Sequence, residues 1–190
     1  MPLPRTVCWT PLWNATQPGV GIEHLRLSDG QADGVVIAVE DESGPFRLAY
    51  RLDWDERWRL REATLSLLDD EGDSLRWMHL RTDGDGRWRD GEGRALAALD
   101  GCLDIDIWPT PLTNSFPIRR VPLLVGERRE FRMAWVDGTA LIARPQAQAY
   151  TRLDDRIYRF ESLDGSGFTA DLTVDEEGIV IDYPGLFRRA

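Results

Sequence analysis

Two aspartate pairs at strand spacing, Asp53/Asp55 and Asp104/Asp106, are the carboxylates of this chain best placed for acid–base work. Residues two apart on a strand share a face, so either pair could hold an acid beside a base; the same spacing also describes a solubilising outer face. The run DGDGRWRDGEG (83–93) sets Asp83, Asp85 and Asp90 at a spacing resembling a calcium loop. Arg87, however, stands where an EF-hand needs an oxygen ligand, and the flanks alternate like strands, so two successive hairpin turns are expected and no metal. His24 and His79 lack an HxH or HExxH partner, and Cys8 and Cys102 lack CxxC spacing, which argues against zinc. No GxSxG elbow, GxGxxG loop or P-loop occurs, and with no lysine anywhere in the chain a Schiff base has no donor. No catalytic residue and no cofactor is therefore assigned. A hydrolase built on the paired aspartates remains the enzymatic alternative.

The distinctive side chains are eight tryptophans, often beside arginine, as in RWRL, RWM and RWRD. Arginine stacks on an indole face while its head meets a polar group. One reading makes the tryptophans core fillers. The other makes them walls of a cavity with an arginine rim, suited to an amphiphile with an apolar body and a polar head. On the second reading Trp54, Trp58, Trp77, Trp88 and Trp135 line the apolar walls, and Arg119 and Arg120 are the head-group candidates. The competing role for those two arginines is structural, pairing with acids such as Asp104 or Asp106.

These side chains need elements to hold them. From residue 20 onward period-two alternation dominates, broken by turn residues every eight to twelve positions, which predicts an all-β sandwich, roll or barrel. The clearest strands are 21–28, 34–40, 45–54, 58–68, 74–82, 129–136, 156–162, 168–174 and 178–184; shorter candidates are 6–9, 87–90, 94–99, 102–108 and 147–153. Glycine–acid pairs between them favour tight hairpins and hence an antiparallel meander. In CLDIDIW (102–108), Asp104 and Asp106 alternate with Leu103, Ile105 and Ile107, as a half-exposed strand requires. PLTNSFPIRRVPL (111–123) interrupts the pattern and predicts one short helix, capped by Thr113 or Asn114, with Phe116, Ile118 and Val121 against the sheet and Pro122 ending it.

The chain has 190 residues, a length expected of one domain, 1–190. A net charge of -10 and a pI near 4.7 set an unfavourable field for a phosphate backbone, so nucleic acid is not an expected partner. No membrane span and no basic leader followed by an apolar run are found, which leads to an expectation of cytoplasmic placement with reduced thiols. The Asn14-Ala15-Thr16 triplet is then a chance match to a glycosylation acceptor.

The run LDIDIWPTPLTNSFPIRRVPLLVGERREFRMAWVD, with its TN-x-x-PIRR core (Pro117, Ile118, Arg119, Arg120) and MAWVD strand (133–137), resembles the central signature of a glycolipid-binding family of bacterial proteins. YRLDWDERWRLREATL, YTRLDDRIYRFES and GFTADLTVDEEGIVIDYPGLFRR extend the resemblance over nearly the whole chain. The resemblance implies a mainly β, spiral β-roll of about fifteen strands around one short helix, a homodimer, and non-enzymatic binding of a glycolipid-like ligand. The family offers no catalytic residues to carry over.

Overall fold

The computed structural model describes residues 4–13, 20–41, 44–68 and 74–190. Fourteen strands among these residues form one sheet around a single short helix, an architecture consistent with a β-roll and not closed into a barrel. The first half of the chain supplies β1 (Arg5–Pro11), β2 (Gly21–Ser28), β3 (Gln31–Glu40), β4 (Gly44–Trp54), β5 (Leu60–Leu68), β6 (Ser74–Thr82) and β7 (Trp88–Asp90), paired in chain order as an antiparallel meander. The second half supplies β8 (Asp104–Trp108), α1 (Ser115–Arg120), β9 (Arg128–Asp137), β10 (Ile142–Asp154), β11 (Ile157–Ser162), β12 (Thr169–Val174), β13 (Val180–Tyr183) and β14 (Phe187–Arg189). The two halves join where β1 pairs β14, with Trp9 opposite Arg189 and Pro11 opposite Phe187. The glycosylation-like triplet lies outside the described residues.

Four expectations are corrected. Residues 94–99 are not a strand: beyond a single bridge at Ala95 they enter a 3-10 turn over Ala97–Leu99. The meander is interrupted at β8, which runs parallel to β9. Most tellingly, the DIDIW strand is not half exposed. Asp104 is fully buried and Asp106 partly so, with Ile105 and Ile107 buried beside them, because Arg120 of α1 covers Asp104 while Thr113 and Gln148 cover Asp106. The helix is found where predicted and stops before Pro122, but neither Thr113 nor Asn114 caps it. Thr113 Oγ1 instead accepts from the Ile107 N–H and donates to Asp106, while the Asn114 amide donates to the Tyr150 hydroxyl at 2.8 Å.

The core lies inside the roll, where α1 buries Phe116 and Ile118 among the core side chains, with Phe116 edge-on to Trp54 and Trp58. A six-residue helix is unstable alone and holds only through this burial. Apart from the parallel β8–β9 pair, paired strands are antiparallel, so the turns alternate between two ends. The turns at 29–30, 55–59 and 175–179 share one end with the start of β1, and those at 163–168 and 184–186 share the other with the end of β8. The segment from Pro109 to Arg120 therefore enters from the β8 end and leads toward the opposite one, where Arg119 meets Gly178.

One hairpin device recurs four times. Asp55, Asp83, Asp90 and Asp175 each accept from the backbone N–H groups two and four residues on, while their own N–H donates to the carbonyl four residues on. This accounts for the DGDGRWRDGEG run as two successive turns, and no metal-holding group occurs among the described residues.

Candidate functional site

The strongest constellation lies at the β8 end. Asp106 leaves β8 toward a partly open cavity of about 260 Å³; Thr113 donates to its Oδ1 at 3.1 Å and the Gln148 amide donates to its Oδ2. Burial pushes the Asp106 carboxyl above its usual range, with the Gln148 and Thr113 hydrogen bonds pulling it back. Gln148 is fully buried, and its Oε1 has no hydrogen-bond partner among the described residues. A buried amide oxygen left unsatisfied costs about 1–3 kcal/mol, a cost that the bond from the Gln148 amide to Asp106 helps to offset.

Aromatic side chains wall the same cavity: Trp108 and Trp135 from the parallel pair, Phe160 from β11, Tyr183 from β13, and Phe168 on the rim. Phe160 lies 6.0 Å from both Phe168 and Tyr183, and Trp135 carries the Arg144 guanidinium over its ring at 4.6 Å. Burial, and after it the Asp106 charge, pushes the Tyr183 phenol well up. Gln146, two residues before Gln148 and so on the same face of β10, adds a further amide held by Ser162 at 3.3 Å. Indole faces with amides and two carboxylates, Asp106 and Asp164, offer apolar C–H stacking beside hydrogen bonds, which is what a hydroxylated ring presents.

The tryptophans and arginines picked out in the sequence do not share one cavity. Trp135 lines the Asp106 cavity. Trp54, Trp58 and Arg119 gather at the opposite end around a separate cleft of about 530 Å³. Trp88 is buried and donates its indole N–H to the Cys102 carbonyl at 2.8 Å, whereas Trp77 is 63 % exposed on the outer surface. Arg120 forms a two-pronged ion pair with buried Asp104 at 2.8 and 2.5 Å, the structural pairing weighed from the sequence, while Arg119 lies exposed over the Trp58 ring. Asp53 pairs with Arg51, and Asp55 closes a turn: burial raises its pKa, but the Arg59 and Arg57 N–H groups and the Arg61 and Arg59 side chains outweigh it and hold the carboxyl at about 2. Asp106, Gln148 and Tyr183 were not singled out as binding residues. The signal available was the pair Gln146/Gln148, two uncharged polar groups on one face of an otherwise small and apolar stretch.

The architecture is that of a mainly β roll with an internal helix and an aromatic-walled cavity that carries amides and two carboxylates. The chain belongs to the family described as "Putative glycolipid-binding", whose pattern it matches over residues 10–189. It is similar to a DUF1089 family protein from Pseudomonas aeruginosa known from its crystal structure, with 52% identity, 92% of this chain and 94% of that chain covered, and a TM-score of 0.86. No curated protein matches the chain.

Proposed function

We propose that the protein binds an amphiphilic, glycolipid-like ligand without transforming it, and that a sugar ring of that ligand sits in the Asp106 cavity. The observation that carries this reading is an aromatic-walled space in which Asp106, Gln146 and Gln148 stand together. A cavity of this size suits one ring rather than a whole lipid, so an acyl chain would leave past Phe168 on the rim. Cytoplasmic placement and homodimeric assembly belong to the same proposal. The test is native mass spectrometry of freshly purified protein, followed by calorimetric titration with octyl glucoside. One molecule per chain is expected, with Kd raised roughly tenfold or more by Asp106→Asn or Gln148→Ala. Absence of both copurified lipid and octyl glucoside binding overturns the reading.

One observation favours glycoside hydrolysis as a second reading. Asp164 lines the same cavity as Asp106, and hydrogen bonds from the Ser166 side chain and backbone hold it at about 2 while burial pushes Asp106 up. Carboxylates driven apart in this way suit acid and base roles. Binding is preferred because both Asp106 oxygens already accept hydrogen bonds. Release of nitrophenol from 4-nitrophenyl glucosides, lost in Asp106→Asn, would reverse that preference.

A further inference from the structure

The four aspartate-closed turns share one backbone course, and at its fourth position the chain enters the left-handed region. Gly86, Gly93 and Gly178 occupy that position with φ of 95°, 84° and 75°; in the turn that begins at Asp55 it is Trp58, at φ 58°. A non-glycine residue is costly there, and a bulky one more so, so the indole is held against the local preference of the backbone. Its surroundings show what holds it. Trp54 stacks on one side with ring centroids 5.0 Å apart, Phe116 of the internal helix meets it edge-on at 5.8 Å, and the Arg119 guanidinium lies over the ring at 5.1 Å. Arg119 reaches this position across Gly178, where a Cβ would stand 2.8 Å from its Cδ.

A stacked guanidinium presents its face to the indole and leaves its in-plane N–H groups free for a bidentate partner. Arg119 forms no ion pair among the described residues, and it borders the 530 Å³ cleft together with the apolar Leu27 and Ile179. The other charges on this cleft set the ligand's charge. Asp55 is neutralised by Arg59 and Arg61, and Glu177 by Arg5, leaving Asp29 and Glu56 on the rim to repel a multiply charged anion. We propose that this end of the roll is a second ligand site, separate from the Asp106 cavity, for a singly charged oxyanion such as a carboxylate, sulfate or phosphodiester carried on an apolar body.

Isothermal titration calorimetry of the full chain with octanoate and with octyl sulfate, and with 1-octanol as the uncharged comparator, tests the site. At least one anion is expected to bind roughly tenfold or more tightly than octanol, and which one binds assigns the group. Arg119→Gln should weaken that binding roughly tenfold or more. Trp58→Gly relieves the turn, so binding should fall while the thermal midpoint moves by only a few degrees; should this variant not fold, Arg119→Gln decides. Gln148→Ala, at the other end, should leave it unchanged. The proposal is overturned if neither anion binds, if octanol binds as tightly, if Arg119→Gln binds like the wild type, or if Gln148→Ala abolishes the binding.

Discussion

Glu23 shows how far a single residue can depart from its sequence neighbourhood. It sits on β2 between Ile22 and His24, and only 1 % of it is exposed. Its carboxyl accepts from Thr110 at 2.6 Å and from the Tyr50 hydroxyl, with the Tyr50 ring lying over Gly34, where a Cβ would come within 2.2 Å. Burial raises its pKa to about 8 against those two hydrogen bonds. Between the unfolded value near 4.3 and about 8, the folded chain keeps this proton and the unfolded chain releases it. The stabilisation is fully present below that window and is lost as pH rises through it, at up to about 1.4 kcal/mol per pH unit. Urea denaturation at pH 5, 6.5 and 8 should therefore show a steeper decline for the wild type than for Glu23→Gln, and parallel declines would refute the assignment. The burial of Glu23 and that of Asp106 were illegible in the sequence for one reason. Alternation tells which residues share a face, but in a rolled sheet with an internal helix it does not tell which carboxylates the third dimension buries.

At the scale of elements, the segment from Leu112 to Arg120 was the most legible part of the molecule. Its prolines and its break in alternation marked a helix inside a β pattern, and Phe116 and Ile118 do plug the interior. Its caps were misjudged because Thr113 and Asn114 serve tertiary partners, Asp106 and Tyr150, in place of the helix's own N–H groups. The twin arginines divide cleanly. Arg120→Ala leaves the fully buried Asp104 without its counterion and should cost about 3–5 kcal/mol in chemical denaturation. Arg119→Ala removes an exposed side chain and should change stability by only about 0.5 kcal/mol. Equal losses would contradict the division. The five tryptophans expected to line one cavity were less legible, since richness in indole says nothing of direction: Trp77 faces solvent, Trp88 is sealed in the core, and the other three border two different cavities.

For the whole molecule, hairpin rhythm identified nearly every strand, but not the sheet order. Nothing in alternation reveals that β8 pairs in parallel or that the first and last strands meet. That meeting is short, with three residue pairs flanked by the Ala190 N–H to Cys8 carbonyl and Leu12 N–H to Leu186 carbonyl bonds joining seven strands to seven. Phe187 anchors it, 2 % exposed and packed 5.1 Å from Trp13. Phe187→Ala should cost about 3–5 kcal/mol. It should also broaden the urea transition, because the two half-sheets lose their shared edge; a sharp, single transition at wild-type stability would show that the halves are held elsewhere.

The seam also sets an order of events during folding. Hairpins within each half close over short loops, whereas residues 9–11 and 187–189 must meet across almost the entire chain, which makes their pairing slow. Until they meet, each half presents an unpaired strand edge. The matching edge of another copy fits there as well as the chain's own, so the contact that completes the monomer is also the template for an exchanged dimer at high concentration.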